Sequence, residues 1–417
     1  MNIIILNPFN KFPDSERWDF ELINYDDFID HTVHHVTYIA DDRGLSGVPS
    51  NVHPHQLIKI ENFGQNNELK HIIENEITRL GKVDRLISFS ENHMDLLAEL
   101  REAHDIPGPD IAETLRARDK VVMKQYVGDA GLRIPYFMHL HPQITREEVT
   151  DFVAKTGYPL IFKPTNGASS IGVQKLTNDA ELTAALALVD SENWELEEFV
   201  EGKVLHIDGI VDAAGKVQFC IPSVYINTLF DYLRGTPTGS YIIEPNDPLY
   251  QQANAFTEAC ITALHLSACP FHLELIVTPE NELVFLETAA RVAGADIPYM
   301  IADCTGVNLF AAWTAMIMGE QPNLTQVEHK SGGWLLFGLP PELPVKVAKA
   351  TPFKGKVDTL YNELVPEIGS IVTKPRGYCA LQAGRFLFAD NEFENVQNAM
   401  EYVLQHFEFN AEELNAS

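Results

Sequence analysis

Two glutamates, Glu274 and Glu287, sit in short runs whose residue types alternate. Phe271-His-Leu-Glu-Leu-Ile-Val277 and Leu283-Val-Phe-Leu-Glu287 both read as strands, and Pro279-Glu-Asn-Glu282 between them reads as a turn. Closing the hairpin with Thr278 opposite Leu283 sets Ile276 against Phe285 and Glu274 against Glu287. Opposed residues of an antiparallel pair lie about 4.5–5.5 Å apart. Two like charges would then face each other among apolar neighbours. A shared proton or a divalent cation relieves that repulsion, and hard carboxylate oxygens suit Mg²⁺. A solvated face carrying two glutamates has the same pattern, and a one-residue slip would separate the pair.

Two further segments bear on the choice. Lys163-Pro-Thr-Asn-Gly-Ala-Ser-Ser-Ile-Gly172 puts a lysine at a strand end, then a loop of small residues. Backbone N–H groups in such a loop can approach phosphate oxygens, with Lys163 as a point charge. No Gly-Lys-Ser/Thr closes it, so it is not a Walker A loop, and an ordinary turn looks alike. Glu197-Glu-Phe-Val-Glu-Gly202 suits a strand edge whose backbone reads a planar base, or an exposed acidic edge.

These residues need elements to hold them. Ile3–Leu6, His35–Ala40, Leu57–Ile60 and Arg85–Phe89 read as strands separated by helical stretches, which argues for a largely parallel α/β layer. The turn-rich Ile106–Asp110 ends it. Asp119 starts a helix running toward Gly131. Thr145-Arg-Glu-Glu148 is a capping box for a helix that stops at Gly157, and Asn178 opens another. Leu160–Lys163 and Trp194–Val200 are strands, and Leu205–Val211 with Val217–Pro222 flank a turn. Residues 223–247 read as a long irregular stretch, either a functional loop or a surface insert. Leu249–Leu266 is helical. Glu392–Ser417, with six Glu and no Lys or Arg, reads as an acidic surface helix with a frayed end.

Composition excludes several classes. The 417 residues are 45% hydrophobic, so the chain can build a core. A net charge of −29 disfavours nucleic acid and anionic membranes as partners. Five scattered cysteines without a CxxC suit a reducing compartment. The first residues lack a basic n-region, and the longest apolar run, Leu309–Met318, is too short to span a bilayer. The expectation is a soluble cytoplasmic protein.

The ordered set of pieces resembles the ATP-grasp superfamily. It comprises Arg118-Asp-Lys120, Leu160-Ile-Phe-Lys-Pro164 with its loop, Glu197–Gly202, His272-Leu-Glu274 and Leu286-Glu-Thr-Ala-Ala-Arg291, within about residues 84–300. Ser90-Glu91 and the Glu287–Gly294 run are most like the L-amino acid ligases, which make dipeptides. The resemblance implies an α/β chain of ATP-grasp fold: an N-terminal parallel-sheet domain (1–110), a hinge helix and small ATP-binding lid (111–200), an α+β catalytic core (201–330) and a C-terminal subdomain (331–417). It implies ATP contacts from Lys120, Lys163, Ser169, Ser170, Gly172, Glu197, Glu198 and Val200. It makes Glu274 and Glu287 ligands of Mg²⁺ (or Mn²⁺), and Arg291 with Lys163 the catalytic pair.

The chain departs from the superfamily pattern at two positions. Ala289 stands where many relatives have a metal-binding Asn. Val204 stands where many have a ribose-binding glutamate, which leaves His206 or Asp208 as replacements. Glu91, Arg291 and Asp296 are the substrate candidates, with Asp296 either pairing a substrate amine or capping a turn. The implied activity is ADP-forming ligation of a small-molecule carboxylate to an amine, both L-amino acids, by a homodimer. The alternatives are a carboxylase using bicarbonate and a non-catalytic nucleotide-binding protein.

Overall fold

The computed structural model describes residues 1–11, 21–50, 56–64, 66–167, 170–191, 193–326, 330–373 and 382–414. The N-terminal strands β1 (Asn2–Asn7), β2 (His35–Ala40), β3 (Gln56–Lys59) and β4 (Arg85–Ile87) form a parallel sheet in the order β3-β2-β1-β4. Ile3, Ile4, Ile5 and Leu6 are fully buried, as a strand covered on both faces requires. The strand order reverses direction between β1 and β4. The chain leaving those two strands, Phe9 and Ser88–Asn92, lies at the crevice where open α/β sheets present ligands.

A small antiparallel sheet follows, from β5 (Phe137–Leu140), β6 (Leu160–Pro164), β7 (Gln174–Leu176) and β8 (Trp194–Glu198), in the order β5-β8-β6-β7. Its core is its own: Phe152, Phe162, Leu182 and Leu196 pack together, and Phe162 stacks on Trp194 at 4.5 Å. Both predicted caps are present. The Thr145 side chain accepts from Glu148 N in a full capping box, and Asn178 Oδ1 accepts from Ala180 N and Glu181 N. Asp119 caps the helix Lys120–Asp129 by accepting from Val121 N and Val122 N.

The largest sheet is built from β9 (Lys203–Val211), β10 (Val217–Asn227), β11 (Thr238–Ile242), β12 (Cys269–Val277), β13 (Leu283–Ala289) and β14 (Ser331–Phe337). After β14 come β15 (Val345–Ala350), β16 (Leu360–Leu364), β17 (Ile371–Val372), β18 (Gly384–Asp390) and β19 (Phe409–Glu413). The large sheet runs β13-β12-β9-β10-β11-β14-β18-β16, and β17-β15-β19 form a third antiparallel sheet. Residue 330 is therefore not a sheet boundary, because β14 pairs with both β11 and β18.

Two expectations are corrected here. Residues 223–247 are largely regular: β10 runs on to Asn227, a capped turn of helix covers Leu229–Tyr232, and β11 pairs back on β10. The prolines and glycines in that stretch sit at its turns and at a bulge near Tyr225–Asn227. The acidic C-terminal segment is not a free surface helix. Phe393–His406 buries Val396, Met400 and Val403, and β19 beyond it pairs with β15.

Because the small sheet has a separate core, its stability is local. Phe162→Ala is expected to cost about 3–5 kcal/mol. Hydrogen exchange should then accelerate across residues 137–198 and stay unchanged in β1–β4. Equal acceleration in both regions would show that the small sheet does not open as its own unit.

Candidate active site

The β12–β13 hairpin pairs Glu274 with Glu287, Leu273 with Thr288 and His272 with Ala289. The turn closes one residue earlier than the sequence suggests. Val277 pairs with Leu283, Ile276 with Val284 and Leu275 with Phe285, and a bulge then leaves Leu286 without a partner. The bulge is what opposes the two carboxylates. An unbroken ladder from that turn would set Glu274 against Leu286. Gly202, at the start of β9, allows close approach to this hairpin, since a Cβ there would come within 2.3 Å of Val277 O.

Glu274 and Glu287 stand where two cavities meet, and both line each of them. The first cavity, about 340 Å³, lies between the small sheet and the large one. Lys120, Lys163, Gly167, Ser170, Glu197, Glu198 and Val200 line it, with apolar walls from Ile161, Phe199 and Ile276. Its volume is in the range of small-ligand sites. The second, about 280 Å³, lies between the N-terminal crevice and the large sheet, with Glu91 and Arg291 on its wall.

The N-terminus of the helix Lys120–Asp129 is tied to the small-residue loop. Lys120 N donates to Thr165 O at 2.8 Å, and Lys120 Nζ donates to Gly167 O at 2.5 Å. The same ammonium lies 3.4 Å from Glu287 Oε2. Ser170 and Gly172 bend the loop through left-handed φ angles of +55° and +79°. Ser169 lies outside the described residues.

Lys163, one residue before the end of β6, lies opposite Glu195 of β8. It belongs to a buried quartet with Lys124, Glu195 and Glu197. Lys163 Nζ is 2.9 Å from Glu197, and Lys124 Nζ is 2.9 Å from Glu195 and 2.6 Å from Glu197. Burial pushes the Glu195 carboxyl up, and the neighbouring Glu197 adds to it. For Glu197 the two lysines outweigh burial and hold the carboxyl below its ordinary range. Lys124 and Glu195 were not singled out from sequence. The available signals were spacing alone: Lys124 is one helical turn beyond Lys120, and Glu195 is on the same strand face as Glu197.

Glu91 bridges the N-terminal domain and the core. Its Oε2 accepts from Arg291 Nε at 2.5 Å, and its Oε1 accepts from Arg118. Burial alone would raise this carboxyl, but the two guanidinium groups outweigh it and hold it at about 2. Glu198 pairs with Arg133.

Three candidates do not face a cavity: His206, its neighbour Asp208 and Asp296. His206 is fully buried, with Nδ1 2.6 Å from Asp208 Oδ2 and Nε2 2.7 Å from Ser240 Oγ. Both ring nitrogens are engaged, so His206 is not placed to contact a ribose. Asp296 is buried in an ion pair with Arg385 and makes no side-chain cap, so it neither meets a substrate amine nor caps a turn.

His206 is instead part of a hydrogen-bonded chain that sequence reasoning did not assemble. Trp334 Nε1 donates to Ser240 Oγ at 2.6 Å, and Ser240 meets His206. Asp208 joins His206 to His272 Nδ1 at 2.9 Å, and His272 Nε2 lies 3.5 Å from Glu274. Four strands of the large sheet, β9, β11, β12 and β14, contribute to it. Burial would lower the His272 imidazole, but Asp208 and then Glu274 push it up to about 9.

Residues 156–298 match the family model described as an ATP-grasp domain. The chain is 26% identical over 345 residues, 80% of its length and 81% of the relative's, to the L-arginine-specific L-amino acid ligase of Bacillus subtilis. It is 32% identical over 104 residues to the D-alanine–D-alanine ligase of Proteus mirabilis, 24% of this chain and 28% of that one. Among solved structures, the L-amino acid ligase from Bacillus licheniformis superposes over 99% of both chains with a TM-score of 0.70 at 16% identity. The chain therefore carries an ATP-grasp domain over residues 156–298, and the relatives it matches are named as amino acid ligases. Within that class the chain is similar along most of its length to the L-amino acid ligases.

The His272–Asp208 pair sets a pH dependence. A raised imidazole pKa means that the pair contributes its full stability below pH 6.5 and loses it as pH rises through about 9. The melting temperature of the metal-free protein is expected to fall across that window. Asp208→Asn should flatten the fall. A slope that persists in the variant would assign the effect to other groups.

Proposed function

We propose that this protein is an ATP-dependent, ADP-forming carboxylate–amine ligase that joins two L-amino acids into a dipeptide. One observation carries the reading: the two opposed glutamates, Glu274 and Glu287, lie at the junction of two cavities of about 340 and 280 Å³. The similarity to the L-amino acid ligases supports the choice of substrates.

In this reading ATP occupies the first cavity, with its base against the β8 edge at Glu197, Glu198 and Val200 and its phosphates toward Lys120 and Lys163. Two opposed carboxylates, with Lys120 3.4 Å from Glu287 and His272 3.5 Å from Glu274, are a hard-oxygen donor set, which fits Mg²⁺ and also Mn²⁺. When bound, the ion supplies charge neutralisation at the transferring phosphoryl group. A carboxylate is a poor electrophile, because oxide is a very poor leaving group. Its oxygen attacks the γ-phosphorus of ATP, the bond to the bridging oxygen breaks, and ADP leaves. The amine nitrogen of the second amino acid then attacks the acyl carbon. The bond to the phosphate oxygen breaks, inorganic phosphate leaves, and the nitrogen gives up a proton.

Arg291 lines the second cavity and offsets charge on the acyl phosphate, while Glu91 holds its guanidinium by the Nε side. Catalysis in such a site is positioning and electrostatics. The loop after β6 covers the phosphates and keeps water from the acyl phosphate. The four described cysteines are free thiols, in keeping with a cytoplasmic enzyme.

The test is phosphate release from Mg·ATP against all pairs of L-amino acids, with mass spectrometry of the products. Release with a matching condensed mass is expected. Glu287→Gln should lower that release at least about 100-fold. Full turnover in that variant, or ADP release that depends on bicarbonate and not on an amine, would overturn the reading.

A further inference from the structure

Resting on the ligase reading, the second cavity carries a statement about which amino acid it takes. Its charged groups are already matched. Glu91 is held by Arg118 and Arg291, Glu274 faces His272 at 3.5 Å, and Glu287 faces Lys120 at 3.4 Å. A cationic side chain entering here would find Glu91 held by two guanidinium groups and Glu287 facing an ammonium.

Apart from Ser90, Asn92 and Tyr225, the rest of the wall is apolar. Phe89, Phe310 and Trp334 are buried in one cluster with Val292 and Ala293, and Phe9 packs against it from the N-terminal domain. Phe89 and Phe310 meet edge to face at 5.5 Å, so that wall is fixed by ring packing. The indole N–H of Trp334 is spent on Ser240, which leaves carbon facing the cavity. The run after Arg291, Val292-Ala293-Gly294-Ala295, is small and leaves about 280 Å³ open.

We infer that the second cavity selects an amino acid with a bulky apolar side chain, of the leucine, methionine or phenylalanine class, and rejects arginine and lysine. Burying such a side chain against aromatic carbon is favourable. A guanidinium or ammonium in the same place would lose its water without gaining an unclaimed carboxylate. The chain would then differ in substrate from its L-arginine-specific relative.

The experiment has two arms on the full-length protein. In the first, kcat/KM for phosphate release is measured across the twenty L-amino acids, with products weighed. Leucine, methionine or phenylalanine should exceed arginine and lysine at least tenfold. Fastest turnover with arginine or lysine would overturn the inference and leave the ligase standing. In the second arm, binding of single amino acids is measured by calorimetry with a non-hydrolysable ATP analogue present. Apolar binding without any phosphate release would support the cavity assignment and sink the ligase reading. Preferential binding of arginine or lysine would overturn the assignment by itself.

Two variants localise the effect. Ala293→Leu should shift the preference toward alanine and glycine at least tenfold. Should it fail to fold, Phe9→Ala at the cavity rim replaces it. That change should lower kcat/KM for phenylalanine at least tenfold and for alanine less than threefold. An unchanged ratio in the folded variant would overturn the assignment.

Discussion

The structure around the nucleotide cavity depends on one buried arrangement of charge: two ammonium groups, Lys124 and Lys163, against two carboxylates, Glu195 and Glu197. All four are almost completely buried, and only their mutual neutralisation makes that tolerable. The two glutamates and Lys163 belong to the small sheet. Lys124 belongs to a helix that packs beside β13 and the long helix Pro248–Ala263. The quartet therefore fastens the small sheet to the core at the place where the cavity opens between them. Removing one member would leave an unpaired buried charge, at a cost of about 3–5 kcal/mol. Because the charges balance within the group, Lys163 can lie near the end of β6 without depending on solvent.

A second constraint sets the face that carries the two opposed glutamates. The bulge at Leu286 shifts the β13 ladder by one residue, so Glu287 and not Leu286 comes opposite Glu274. Leu286 then takes a place on the nucleotide cavity wall. Behind this pair, the chain from Trp334 through Ser240, His206, Asp208 and His272 fixes the side chain next to Glu274 from four strands. Such a network is costly when half made and rigid when complete. It connects the wall of the second cavity to one of the two carboxylates that both cavities share.

Much of this was legible in the sequence where the signal is local. Asp119, Thr145 and Asn178 cap the helices they were read to cap, because a side chain two or three residues from its backbone donor leaves little geometric choice. The facing of Glu274 and Glu287 was also read, although the turn closes elsewhere and the bulge restores the pairing. Long-range partners were not legible. His206 and Asp208 follow Val204 closely enough to offer a ribose contact, but Ser240 and Asp208 occupy both His206 nitrogens, and the two histidines hold both Asp208 oxygens. Asp296 sits next to small cavity residues in sequence, yet its carboxylate turns to Arg385, far along the chain. Residues 223–247 read as irregular because their regularity comes from pairing with β9 and β14, not from any local period. No single helix among the described residues is long and apolar enough to cross a membrane.

The central claim is that Glu274 and Glu287 together hold a divalent ion between the two cavities. Mn²⁺ binding followed by electron paramagnetic resonance tests it without reference to turnover. In the presence of a non-hydrolysable ATP analogue, wild-type protein should bind Mn²⁺ tightly. Glu274→Gln and Glu287→Gln should each weaken that binding at least tenfold, with the fold intact by circular dichroism. Undiminished Mn²⁺ affinity in both variants would contradict the account, because the opposed carboxylates would then have no ion to share.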